Sequence, residues 1–293
     1  YIELIKLILK KDENLLGMKI VLDCANGAGY KVGTEALFEL GSEVISIHKD
    51  PDGTNINENC GAMFPNEMAL KTKEAKADLG VALDGDADRV VFSDENGNLI
   101  DCDQILGVLA LNLHNQNQLK NNTVVGTVMT NIGFEIFLND NNINLKRVNV
   151  GDRYIVDEML KNNYNLGGEP SGHVIMSDHT KSGDGLLTAI KIISLLKESG
   201  KKASEFLRPF SITPYKIKNL KKINNNILDS ESVKNSLKRI QLDLKNKYNG
   251  RLLVRPSGTE PIVRILVECE FDNKIDQYIS KVQDLLVKES SNE

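Results

Sequence analysis

The sequence predicts an α/β fold, with two α/β domains followed by a smaller α+β domain. Three observations predict it. Short apolar runs of strand type alternate with helical patterns and glycine turns over the first two thirds of the chain. After Gly200 a polar stretch and Pro209 lead into a block richer in strands. A length of 293 residues is also too great for one small core. The expected domains are 1–98, 99–205 and 206–293.

Tyr1 to Lys11 carries apolar residues at helical spacing. Lys19 to Asp23 reads as a buried strand entering the glycine turn Asn26-Gly27-Ala28-Gly29, and a helix over Thr34 to Leu40 stops at Gly41. The strand Glu43 to Ile47 completes a βαβ unit. Glu95-Asn96-Gly97-Asn98 marks a hairpin-like turn before a helix over Asp103 to His114. The second block repeats the pattern: strand Val124 to Val128, helix from about Gly133, strand Lys146 to Val148, helix after Gly151-Asp152-Arg153, and helix Asp184 to Glu198. The last block has strands Tyr215 to Leu220, Gly250 to Arg255 and Pro261 to Glu270, with helices Ser230 to Asn246 and Lys274 to Lys288.

Composition excludes several function classes. A net charge of −5 with interspersed signs leaves no basic face for a nucleic-acid backbone, so nucleic acid is not an expected partner. The 4 cysteines (Cys24, Cys60, Cys102 and Cys269) contain no CxxC pair, which argues against a zinc site or a disulfide framework and for a reducing cytoplasm. No apolar run reaches the length of a membrane span, and Tyr1-Ile2-Glu3-Leu4 does not open a signal peptide. With no initiator methionine, the record is expected to begin inside a longer chain. Oligomeric state is not legible.

The run Val81 to Phe92 carries the chemistry. Asp84, Asp86 and Asp88 alternate with small Gly85 and Ala87 between two strand-like flanks, so the carboxylates can converge. Three hard oxygen ligands suit magnesium. At roughly 4 Å two such charges repel by about 4 kcal/mol at an effective dielectric of 20, which a divalent cation would relieve. Arg89 adds charge-assisted donors for a phosphate or for one of the aspartates. A calcium EF-hand fails, because Arg89 stands where that loop needs glycine and the flanks are not helices. A solvated acidic turn is the alternative.

Three further segments add weaker signals. Arg255-Pro256-Ser257-Gly258-Thr259-Glu260-Pro261, with Arg264 beyond it, can offer backbone N–H groups, hydroxyls and guanidiniums to one anion, or be an ordinary turn. Glu169, Ser171 and His173 alternate in Gly168-Glu169-Pro170-Ser171-Gly172-His173, which on an extended segment would put all three on one side for sugar hydroxyls. His173 could also be a general acid or base. Gly151-Asp152-Arg153 precedes a helix and could be only an N-cap through Asp152. The glycine turn at 26–29 does not match the dinucleotide fingerprint.

Several of these segments together resemble the α-D-phosphohexomutase family, most closely its amino-sugar branch. The carriers are VLDCANGAGY at 21–30, DGTNINENCG at 52–61, DGDADR at 84–89, VGDRYIVDEM at 150–159, GGEPSGH at 167–173, DHTKSGDG at 178–185 and RPSGTEP at 255–261. The resemblance implies mixed-sheet domains, Mg2+ on Asp84, Asp86 and Asp88, a sugar loop of Glu169, Ser171 and His173, and a phosphate loop of Arg255, Ser257, Gly258 and Thr259 with Arg264 beside it. Arg89, Asp152 and Arg153 are expected beside the reacting groups. It implies four domains, of which this chain would hold the second to fourth. The implied reaction interconverts glucosamine 6-phosphate and glucosamine 1-phosphate through a phosphoserine on the first domain and a bisphosphorylated sugar, toward UDP-N-acetylglucosamine. No segment like Thr-Ala-Ser-His-Asn occurs here, so this chain alone is expected to be inactive. Pro170 stands where the amino-sugar branch is expected to carry glutamine, and Gly61-Ala62-Met63-Phe64-Pro65 also departs from the pattern. The alternatives are a phosphomannomutase or phosphoglucomutase of the same family, and a non-catalytic sugar-phosphate binder. A phosphatase of the paired-aspartate type is excluded at Asp23-Cys24-Ala25.

Overall fold

The structure is a computed structural model that describes residues 1–10, 13–221, 225–257 and 262–290. The chain divides into two compact units, one of residues 1–130 and 134–211, the other of 131–133 and 212–293.

In the first unit, helix α1 (Ile2–Lys6) precedes β1 (Lys19–Asp23), α2 (Gly29–Glu39), β2 (Glu43–Ile47), α3 (Asn66–Glu74), β3 (Leu79–Leu83), β4 (Val90–Ser93) and β5 (Leu99–Ile100). These strands form one sheet in the order β2-β1-β3-β4-β5. β1 runs parallel to β2 and β3, whereas β3-β4 and β4-β5 are antiparallel. The mixed character follows from connection length. The long crossovers through α2 and α3 give parallel pairs, and the short aspartate loop between β3 and β4 gives a hairpin.

The remainder of this unit comprises α4 (Cys102–Asn115), β6 (Thr123–Thr127), α5 (Ile132–Asp140, its first two residues assigned to the other unit), β7 (Asn144–Val148), α6 (Asp152–Asn162), β8 (Leu166–Gly168), β9 (Val174–Met176), α7 (Gly185–Ser199) and α8 (Ala203–Phe206). The second sheet has the order β7-β6-β8-β9, with only the β8-β9 pair antiparallel. One apolar cluster joins Leu22, Leu83 and Phe92 of the first sheet to Val124 and Leu166 of the second, through Leu106 and Leu109 of α4 and Ile190 and Ile193 of α7. α7 is buried on nearly every face, which is why its sequence is apolar all round. The two sheets therefore share one apolar core.

The second unit adds β10 (Tyr215–Lys221), α9 (Glu231–Tyr248), β11 (Arg251–Pro256), β12 (Ile262–Glu268) and α10 (Asp272–Ser290). Its antiparallel sheet has the order β10-β12-β11. Tyr278, Ile275 and Val282 of α10 pack with Val263, Ile265 and Val267 of β12 in a separate apolar cluster.

Two elements depart from expectation. α2 begins at Gly29, five residues before the expected Thr34, because Gly29 and Gly33 lie on the face pressed against Leu83 and Leu22, where larger side chains would collide. α3 was not expected at all, since it buries only Met68, Ala69 and Thr72 and its sequence is mostly polar. Among the described residues, no helix is long and apolar enough to cross a membrane.

Candidate metal and sugar-binding site

The aspartate loop is the connection of the β3-β4 hairpin. Asp84, Asp86 and Asp88 each bring a carboxylate oxygen within 4.8 Å of the other two. The loop closes on itself: Ala87 donates its N–H to the Asp84 carbonyl at 3.0 Å, and Arg89 donates its N–H to Asp84 Oδ1 at 3.0 Å. Ala87 sits in the left-handed region at φ 60°, a conformation a larger branched residue would resist. A Cβ on Gly85 would lie 2.6 Å from the Asn57 side-chain nitrogen, so that side chain would have to shift.

Electrostatically the loop is poised for a cation. Burial pushes the Asp84 carboxyl up to about 6, partly countered by the Arg89 N–H and reinforced by the Asp88 and Asp86 carboxylates. Arg89 does not neutralise the cluster, as its Nε stays 3.9 Å from Asp84 and 4.0 Å from Asp88. Oxygen-only donors, mutual repulsion and an elevated carboxyl fit Mg2+.

The glycine turn expected only as a weak signal supports this loop. Ala28 donates its N–H to the Gly85 carbonyl at 2.7 Å, and a Cβ on Gly27 would fall 2.2 Å from that oxygen. Glycine at 27 is therefore what lets the two backbones touch. The N-terminus of α7 meets the same loop, where Gly185 N–H reaches the Ala87 carbonyl at 2.8 Å.

The sugar-loop candidates lie against it. Val90 N–H reaches the Gly172 carbonyl at 3.0 Å, and Arg89 pairs with His173 in an antiparallel bridge. The segment is not extended, however: Glu169 to Gly172 is a tight turn joining β8 to β9, in which Gly172 N–H returns to the Glu169 carbonyl at 3.1 Å. The three side chains therefore do not share one side, which corrects the alternation argument. Ser171 is exposed, and its hydroxyl donates to Glu169 Oε2 at 3.1 Å. Glu169 is nearly buried, and its Oε1 accepts the Gly151 N–H at 2.7 Å. His173 turns inward, its Nδ1 3.3 Å from Asp88 Oδ2 and its ring filling the space a Cβ on Gly183 would need. It stands against a carboxylate of the acidic loop and is 4% exposed.

Gly151, not Asp152, is the N-cap of α6, so the reading of Asp152 as that cap is corrected. Asp152 accepts the N–H of its neighbour Arg153, and the exposed Arg153 side chain lies 3.7 Å from Asp157. Gly151 is what connects this segment to the sugar loop, which residue types alone did not disclose.

In the second unit Arg255 and Arg264 are direct cross-strand partners on β11 and β12. Two cations opposed in this way repel. Burial and the adjacent Arg264 both hold the Arg255 guanidinium below its usual range. Ser257 is buried and donates its N–H to Ile262 at 2.9 Å, while Gly258 and Thr259 lie outside the described residues.

The described parts are two mixed α/β sheets, an acidic hairpin with an adjoining Glu-Ser turn, and an α+β unit bearing paired arginines. The chain belongs to the phosphoglucomutase/phosphomannomutase family: the alpha/beta/alpha domain II model matches residues 1–97, the domain III model 101–211, and the C-terminal domain model 213–285. Phosphoglucosamine mutase of Brucella ovis is 43% identical over 99% of this chain and 64% of its own length, and that of Chelativorans sp. is 44% identical over 98% and 63%. The chain thus spans somewhat under two thirds of these relatives. A phosphoglucomutase/phosphomannomutase family protein of Burkholderia thailandensis shares the fold at TM-score 0.79 and 22% identity, covering 99% of this chain and 63% of that one. The Aspergillus fumigatus N-acetylphosphoglucosamine mutase, solved with GlcNAc-6P and magnesium, gives 0.77 at 17% identity, covering 96% and 68%.

Proposed function

We propose that this chain carries the metal, sugar and phosphate-binding domains of a cytoplasmic phosphoglucosamine mutase, within the boundaries 1–98, 99–205 and 206–293. The observation that carries the reading is the joining of the acidic hairpin to the Glu169–His173 turn through Val90–Gly172 and Asp88–His173. A metal loop fastened to a sugar loop suits phosphoryl transfer at a sugar oxygen.

In this reading Asp84, Asp86 and Asp88 hold Mg2+, which when bound supplies positive charge to the transferring phosphoryl group. Glu169 and Ser171 accept and donate hydrogen bonds to vicinal sugar hydroxyls. Glu169 also fixes Gly151 and so presents Asp152 and Arg153 near the sugar loop. Arg89, half exposed beside the carboxylates, offers its guanidinium to a phosphate oxygen. Arg255 and Arg264, opposed across β11 and β12, offer two guanidiniums to one phosphate. The phosphoryl-carrying serine implied by the family resemblance has no counterpart in a Thr-Ala-Ser-His-Asn-like segment of 1–293. These groups act mainly by positioning and electrostatics.

The relatives named as phosphoglucosamine mutases favour an amino sugar, and the test is direct. The full-length native protein with magnesium should convert glucosamine 6-phosphate to the 1-phosphate with higher kcat/KM than glucose or mannose 6-phosphate. Equal or better use of the 2-hydroxy sugars would move it to the phosphomannomutase/phosphoglucomutase reading. No turnover of any hexose phosphate would leave a sugar-phosphate binder.

A further inference from the structure

A second group of metal donors lies at the end of β1. Asp23, His48 and Cys60 each present one ligand atom within 4.8 Å of the other two. They come from three separate places in the chain: the last residue of β1, the residue after β2, and the residue before the short 3-10 turn Gly61–Met63. Asp23 and Cys60 are fully buried and His48 mostly so. The sequence argument against zinc rested on the lack of a CxxC pair. Donors brought together from distant segments leave no such spacing.

The histidine lies between two carboxylates. Its Nε2 is 3.3 Å from Glu67 Oε2, outside the cluster. Nδ1 is the nitrogen that faces Asp23. It is buried without a hydrogen-bond partner even though Asp23 Oδ2 is 3.1 Å away. A cation beside both atoms would take a lone pair from each. His48 also holds the left-handed backbone at φ 48°, an uncommon state for a side-chain-bearing residue outside Asn and Asp. Asp23 is anchored by two backbone donors, Ala25 N–H on Oδ1 and Gly61 N–H on Oδ2, each at 2.9 Å, which leave lone pairs on both oxygens. The Cys60 thiol has only a long 4.0 Å contact from Asn26.

We propose that Asp23, His48 and Cys60 form a binding site for a borderline-soft divalent cation of the zinc type, with Glu67 as the outer carboxylate that orients His48. One nitrogen, one oxygen and one sulfur suit zinc or cobalt and do not suit magnesium. Binding forms a metal–thiolate bond, and the Cys60 proton leaves to solvent. The bound ion would tie the 60–61 turn to the ends of β1 and β2, directly beneath the aspartate loop, where Gly61 already packs against the Leu83 carbonyl. The site is independent of the sugar that the protein acts on.

Cobalt(II) titration of the full-length protein in excess magnesium reads the site. The expected spectrum has a thiolate-to-cobalt charge-transfer band in the near ultraviolet and intense d–d bands of a four-coordinate ion, both removed by zinc. Cys60→Ser should abolish the charge-transfer band, whereas Cys24→Ser and Asp86→Asn should keep it. Glu67→Gln should retain the band and weaken zinc binding by about 10–100-fold. Absence of the band in the native protein, or its survival in Cys60→Ser, overturns the proposal.

Discussion

Two donor clusters stand at the ends of neighbouring parallel strands, and they are built in opposite ways. Asp84, Asp86 and Asp88 come from one five-residue stretch following β3, whereas Asp23 ends β1, His48 follows β2 and Cys60 precedes the Gly61–Met63 turn. The first has only oxygen donors, and its members repel; the second mixes oxygen, nitrogen and sulfur. β1 and β3 are hydrogen-bonded partners, with Asp23 opposite Ala82, so the two clusters share one sheet edge. The contrast shows that the same βαβ edge can present a hard cation site through local sequence and a softer one through tertiary convergence. Only the local one is written as a motif.

The sharpest way to break the comparison is at the aspartates. Asp86→Asn in the full-length enzyme should lower turnover about 10³-fold, the several kcal/mol that a divalent cation contributes to transition-state charge. Cobalt binding at Cys60 should stay unchanged. Normal turnover in this variant, read in a coupled sugar 1-phosphate assay with folding checked by circular dichroism, would remove magnesium from the hairpin. Gly27→Ala comes next. Its Cβ would fall 2.2 Å from the Gly85 carbonyl oxygen, a backbone atom that cannot swing aside. The aspartate loop must shift, at a cost of about 1–3 kcal/mol in stability, and magnesium affinity should fall with it. Unchanged affinity and an unchanged thermal midpoint would mean the turn does not support the loop.

What could be read from sequence follows the same division. Strands β1 and β2 are legible to the residue, because each holds β-branched residues at its centre and is bounded by turn formers. The aspartate hairpin was legible because its ligands alternate along one segment. Alternation predicts His173 on one face with Glu169 and Ser171. The chain instead turns at Glu169–Gly172, and His173 is spent on Asp88. No residue pattern near 173 announces a partner 85 positions earlier. Gly27 read as a generic turn glycine because its reason is the Gly85 carbonyl, and α3 was invisible because a helix with one narrow buried stripe looks like loop. Arg255 and Arg264 were named separately; only the β11-β12 register makes them a pair. The Asp23–His48–Cys60 group has no spacing signature, since its members are 25 and 12 positions apart.

The gentlest probe separates the clusters by pH. Burial, with Asp88 and Asp86 beside it, holds the Asp84 carboxyl up at about 6, above its ordinary 3.8. Magnesium must displace that proton, so its affinity should be level above pH 7 and fall by about tenfold per unit once the pH is below 6. The stability sign is opposite in the metal-free protein. Between 6 and 3.8 the folded chain holds a proton at Asp84 that the unfolded chain has lost, so this group favours folding increasingly as the pH falls through that window. Asp94 supplies the internal contrast. Burial alone would raise it, but the Asn98 N–H and side chain, the Asn96 N–H and the Arg208 guanidinium hold it below its usual range. Its contribution is present at neutral pH and lost as the pH falls through its depressed value. Isothermal titration of magnesium from pH 7.5 to 5 reads Asp84 directly, and Asp88→Asn, which removes one repelling neighbour, should move the fall to lower pH. A flat affinity across that range would show that Asp84 is not a ligand.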